Sequence, residues 1–180
     1  MIIAFGDSYT SGTGARPGEA FPDHLGALLD EQVLGRGVHG STARESIGRL
    51  QSDVLDAEPE LAILEFGVNE AFRGHPVRAC IDGMRPMVEA CRAADIDVVL
   101  VGVHFAHFQA DFDAALGRLA GQHACGLVTG ALDGVLEDRT LRSDRFHPNG
   151  AGYRVMAERV APEVRRLLQR SRTLRTGTPA

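Results

Sequence analysis

Two side chains near the end of the chain have the types and spacing of a proton-handling pair. Asp144 and His147 sit in Asp144-Arg145-Phe146-His147-Pro148-Asn149. Pro148 suits the first position of a helix and biases the residue before it away from helical geometry, so the imidazole is expected at a loop–helix junction. A carboxylate three residues earlier in a tight loop can reach one ring nitrogen and leave the other free to face a nucleophile. That is the base-and-orienter half of a Ser-His-Asp arrangement. Taken alone, the pair also reads as a loop aspartate beside a surface histidine.

At the other end, Ile2-Ile3-Ala4-Phe5 is an apolar run cut off by Gly6 and followed by Asp7-Ser8. A short apolar run bounded by glycine reads as a buried strand of a parallel sheet, and Ser8 then stands at its carboxyl end, where open α/β sheets carry their ligands and chemistry. Two more residues fall just after strand-like segments. Gly40 can present a backbone N–H at the same sheet edge. Asn69, within Gly67-Val68-Asn69-Glu70, brings uncharged amide donors suited to an oxyanion that exists only in a transition state. Singly, they are a turn glycine and a loop asparagine.

The elements that must position these residues follow from periodicity. Helical spacing runs over 20–32, 43–55, 77–94 with a kink expected at Pro86, 110–123, and 148 to about 170. Strands are expected at 2–5, 32–38, 61–66, 97–103 and 127–129. Strands alternating with helices imply βαβ units: a three-layer α/β/α domain on a five-stranded parallel sheet of flavodoxin-like order. Residues 1–170 form this single domain, and 171–180 read as a flexible tail.

Composition narrows the function. The chain has 180 residues, 44% of them hydrophobic, enough for one sizeable core. A net charge of −5 without a basic stripe argues against nucleic-acid binding. There is no lysine, which excludes Schiff-base chemistry and a phosphate-loop lysine. No apolar run is long enough for stable membrane insertion. Cys80, Cys91 and Cys125 have no metal or redox spacing and read as small buried hydrophobes. Met1 leads straight into the first strand, giving a cytoplasmic reading; a trimmed mature form of an exported protein would look the same.

In sequence order, Gly6-Asp7-Ser8, Gly40, Gly67-x-Asn69 and Asp144-x-x-His147-Pro148 resemble the four blocks of the SGNH (GDSL-type) ester hydrolases, over about the first 170 residues. With Phe72-Arg73-Gly74 after the third block, the chain is similar to the bacterial branch of multifunctional thioesterase/lysophospholipases and arylesterases. The resemblance implies Ser8 as nucleophile, His147 as general base and Asp144 as its orienter. It implies an oxyanion hole from the Ser8 and Gly40 N–H groups and the Asn69 side chain. The activity implied is cleavage of small or acyl-chain carboxylic esters or thioesters through an acyl-serine, by a monomer or small homo-oligomer without metal or cofactor. Two positions depart from the family pattern: Glu70 replaces the usual Asp, and Gly35 stands where Asn is frequent.

Phe72 and Arg73 are expected on one wall of the substrate pocket. Phe105 and Phe108, in His104-Phe105-Ala106-His107-Phe108, are expected on another, and the HxxH spacing there finds no third metal ligand nearby. Three other readings compete. Ser8–Gly14 resembles a phosphate-cradling loop, as in a flavin- or phosphate-binding flavodoxin-like protein. Asp7 and Asn69-Glu70 loosely match a metal-dependent phosphoesterase. The third is a non-catalytic relative that binds lipid or carbohydrate.

Overall fold

The computed structural model describes residues 1–103 and 109–177. Five parallel strands, β1 (Ile2–Gly6), β2 (Val33–Gly37), β3 (Leu61–Glu65), β4 (Asp97–Val101) and β5 (Gly126–Val128), form one sheet in the order β2-β1-β3-β4-β5. This is the flavodoxin-like order expected from the sequence. In the register Gly6 lies beside both Gly37 and Glu65, so β1, β2 and β3 release their following loops at one level.

β1 and β3 are buried along their whole length. Their side chains alternate between two cores. Ile2, Ala4 and Ile63 pack against α2 (Phe21–Leu29) and α8 (Gly150–Thr176), whereas Ile3, Phe5 and Leu64 pack against α6 (Val77–Ala93) and α7 (Gln109–His123). Each large apolar side chain so buried contributes about 1.5–3 kcal/mol, and this two-sided burial fixes the central strands.

Three elements differ from the sequence expectation. The segment 43–55 is not one helix: α3 (Ala43–Ser46) and α4 (Leu50–Asp53) are separated by a 3₁₀ turn, Ile47–Arg49. Gly48 sits in that turn, where helix propensity is lowest. Pro86 does not divide α6. It lies on the exposed face, where water can satisfy the carbonyl whose hydrogen bond the proline removes. Finally, α8 continues to Thr176, so 171–176 are not a free tail. Arg172 binds Glu31 at 2.7 Å and Glu60 at 2.8 Å, and Ser171 hydrogen-bonds Asp97, tying the end of α8 to the lower edge of the sheet. Among the described residues, no helix is long and apolar enough to cross a membrane.

Candidate active site

Gly6 ends β1 because a side chain there has no room: a Cβ would collide with Thr10 Oγ1 and stand 2.6 Å from the Glu65 carbonyl oxygen. The chain turns at Asp7, whose carboxylate accepts the Tyr9 N–H at 3.0 Å and caps the single turn α1 (Ser8–Ser11). Ser8 is thereby the first residue of that turn and is 5% exposed. Among the described residues, its Oγ makes no hydrogen bond. After β3, Gly67 takes φ +131° with the Phe112 ring where a Cβ would be, and the chain enters α5 (Val68–Phe72), which carries Asn69 and Glu70.

His147 comes from the opposite side, on a loop pinned by backbone bonds from Ser143 N–H to the His147 carbonyl and from Asn149 N–H to the Leu141 carbonyl, both 2.9 Å. Asp144 Oδ2 meets His147 Nδ1 at 2.9 Å, and Asp144 Oδ1 accepts the N–H groups of Phe146 at 2.7 Å and His147 at 2.9 Å. Partial burial pushes the Asp144 carboxyl upward, but the Phe146 N–H and the His147 ring and backbone outweigh it, so the group stays below the usual range and remains an anion. Among the described residues, His147 Nε2 has no hydrogen-bond partner.

Ser8, Asn69 and His147 line one cleft of about 330 Å³ together with Tyr9, His39, Val68, Phe72 and Phe146. No hydrogen bond joins Ser8 Oγ to His147 Nε2 across it. Without substrate such bonds are often long and tighten only in the reacting complex. Phe72 and Phe146 meet edge to face at 5.2 Å over the mouth, both well exposed, and give the cleft an apolar rim. Phe72 thus lines the cleft beside Ser8 and His147.

The other expected residues are placed as follows. Asn69 lines the cleft, but Nδ2 donates to Asp7 Oδ2 at 2.8 Å and to the Ser41 carbonyl at 3.0 Å, so both amide hydrogens are engaged. Gly40, in a turn at φ +76°, is outside the cleft lining; among the described residues its N–H has no partner, and its carbonyl accepts from Arg73 at 2.7 Å. Arg73 is not a pocket wall: its other nitrogen binds Glu45 at 2.7 Å, so the guanidinium latches the Gly40 turn. Phe105, Phe108 and the HxxH histidines lie outside the described residues. Glu70, despite its extra methylene, accepts the Ala43 N–H at 2.7 Å and braces the chain after the Gly40 turn. Gly35 lies within β2, opposite Ala4.

Sequence reasoning missed three residues. His39 stands 5.5 Å from His147, ring centre to ring centre, and its Nδ1 bonds Thr13 Oγ1. Tyr9 donates its hydroxyl to the Phe146 carbonyl at 3.0 Å, and Tyr153 of α8 donates to the Thr13 carbonyl at 2.8 Å. These are the chain's only tyrosines. Both are buried tethers between the serine segment and the far end of the chain, and neither is available to stack on a flavin. Their sequence signal was only their rarity. Among the described residues, no group of three His, Cys, Asp or Glu side chains is placed to hold a metal ion.

The family model of the GDSL-like lipase/acylhydrolases matches residues 4–155. The chain belongs to that family. It is 24% identical to esterase TesA of Pseudomonas aeruginosa over 93% of this chain and 89% of that protein. It is 21% identical to thioesterase 1/protease 1/lysophospholipase L1 of Escherichia coli, over 93% and 84% of the two chains. Among solved structures, TesA superposes with a TM-score of 0.85 at 23% identity, covering 92% of this chain and 98% of that one. AlinE4, an SGNH-hydrolase family esterase, superposes with a TM-score of 0.72 at 28% identity, over 99% and 96%. The fold and the order of the four blocks agree with this membership.

Proposed function

We propose that this family member hydrolyses carboxylic esters or thioesters through an acyl-enzyme formed on Ser8. The observation that carries the reading is the ionised Asp144 held on His147 Nδ1, with His147 and Ser8 facing the same cleft. In this reading His147 Nε2 takes the Ser8 hydroxyl proton as Oγ attacks the acyl carbonyl, and Asp144 fixes the ring tautomer. The tetrahedral oxyanion is met by the Ser8 and Gly40 N–H groups. Asn69 completes the hole by releasing its longer bond, to Ser41, when the charge develops. His147 then protonates the leaving alcohol or thiol, and water activated by the same imidazole frees the acid and restores Ser8.

The Phe72–Phe146 rim favours an apolar acyl or aryl group at the mouth. The relatives named as esterase, thioesterase and lysophospholipase support oxygen and sulfur esters alike.

The test is intact-mass spectrometry after fluorophosphonate treatment, on wild type and Ser8→Ala, beside turnover of p-nitrophenyl esters from acetate to palmitate. One adduct on wild type, absent from the mutant together with turnover, is the expected result. No adduct and no turnover on a folded protein would overturn the proposal in favour of a non-catalytic binder.

A further inference from the structure

Three carboxyl groups stand directly beneath the serine, and the reaction uses none of them as acid or base. Asp7, Glu65 and Glu70 are each at most 1% exposed. Among the described residues, none of the three forms an ion pair. Taking several like charges out of water without a counter-ion is costly enough that such groups keep protons instead.

The donors around them are unevenly shared. Asp7 has both oxygens engaged, by Tyr9 N–H and Asn69 Nδ2. Glu65 Oε2 accepts from Thr10 Oγ1 at 2.9 Å, but among the described residues Glu65 Oε1 has no hydrogen-bond partner, and neither does Glu70 Oε2. The charges of the three acids act on one another, Glu65 and Glu70 on Asp7 and Glu70 on Glu65, each making ionisation of the next more costly.

Each acid also grips a different wall of the site. Asp7 holds the Ser8 turn and Asn69. Glu65 holds Thr10 of the same turn from the end of β3. Glu70 holds Ala43, three residues past Gly40. The three segments that carry the oxyanion donors are thus stitched together from below by acids that would repel one another if all were ionised.

We propose that Asp7, Glu65 and Glu70 form a buried, proton-retaining brace behind the nucleophile, in which Glu65 is a positioning residue whose ionisation at higher pH sets the acids against one another and loosens the Ser8 turn and Asn69. The proposal rests on the hydrolase reading only for its effect on turnover. Burial, with the neighbouring Glu65 charge, holds Asp7 well above the usual carboxylate range, and burial raises Glu65 to about 7 and Glu70 as well. The groups facing Glu65 are Asp7, Tyr9 and Thr10 from the serine turn, Glu70 from α5, Cys80 from α6 and Tyr153 from α8. Arg73 and His75 act only on Glu70, where their charge is a minor influence.

A carboxyl raised on folding binds its proton more tightly in the native state. Its stabilisation is therefore full below the unfolded value near 4.5 and is lost as pH rises toward about 7. The experiment compares wild type with Glu65→Gln, a neutral isostere, by thermal melting and kcat from about pH 5 to about pH 8. Over that interval the wild-type melting temperature is expected to fall by several degrees relative to Glu65→Gln, while kcat of the mutant stays within about threefold at the acid end and KM barely moves. Parallel melting curves for the two proteins would overturn the proposal.

If Glu65→Gln does not fold, infrared spectra of wild type near pH 6 decide. A protonated-carboxyl band surviving there supports the brace, and its absence refutes it. Melting and infrared readouts do not depend on turnover. An inactive protein with a retained proton would sink the hydrolase reading alone.

Discussion

The two halves of the site are built in opposite ways. The serine half is a shelf: it rises from the middle of the sheet, its acids Asp7, Glu65 and Glu70 and the Ser8 and Thr10 hydroxyls are buried, and its bonds run to side chains from several elements. The histidine half is a surface loop, where the Asp144 side chain is 53% exposed and its bonds run almost entirely within residues 140–149. In the shelf, chemistry and stability rest on the same atoms. In the loop they are separable, so a side chain can be lost there without the fold noticing.

The sharpest test of that division is His147→Ala. Turnover of a p-nitrophenyl ester should fall about 10³-fold or more, with a melting temperature within about 2 °C of wild type. A matching collapse in melting would erase the distinction.

Asp144→Asn should lower turnover by about 10²- to 10⁴-fold through loss of the tautomer and of charge support. Its stability effect carries a pH signature. The Asp144 carboxyl is lowered in the folded protein, so what it adds to stability is present above the unfolded value and is lost only as pH falls through the lowered one. Denaturant titrations of wild type and mutant should therefore differ by a constant amount, below about 1 kcal/mol for so exposed a group, from about pH 5 upward, and should converge in acid.

On the shelf side, Gly6→Ala drives a methyl against the Glu65 backbone and Thr10. It should cost about 2–3 kcal/mol in urea unfolding and lose fluorophosphonate labelling together with stability. Tyr153→Phe removes the hydroxyl that holds the Thr13 carbonyl and should cost about 1 kcal/mol. Arg73→Ala, which frees the Gly40 turn and an exposed ion pair, should cost under about 1 kcal/mol, and any activity loss should appear in kcat rather than KM.

What the sequence made legible follows the same line. Strands and blocks were readable where a local pattern carries them: an apolar run cut by Gly6 or Gly67, a proline after His147. The Asp144–His147 contact was readable because the loop makes it within four residues. The engagement of Asn69 by Asp7 and Ser41 was not, since it joins residues 62 and 28 positions apart through the register of three strand ends. His39, Tyr9 and Tyr153 were invisible for the same reason. Arg73 was misjudged because its partner Glu45 lies on a helical turn that the pattern merged into a longer helix. The end of α8 was misjudged because its anchors, Glu31 and Glu60, belong to other layers of the sandwich.

The reach of Tyr153 across the molecule also sets an order of events in the life of the chain. Its hydroxyl serves residues 8 and 13, some 140 positions earlier, and the general base of the proposed reaction lies only six residues before it. During synthesis Ser8 emerges well before His147 and Tyr153. Contacts of such separation are the slowest to close and leave early strands waiting unpaired. In the proposed reaction, a ribosome-bound chain lacking the final helix therefore carries a mute serine, and reactivity waits until the carboxyl-terminal segment swings back over the Ser8 turn.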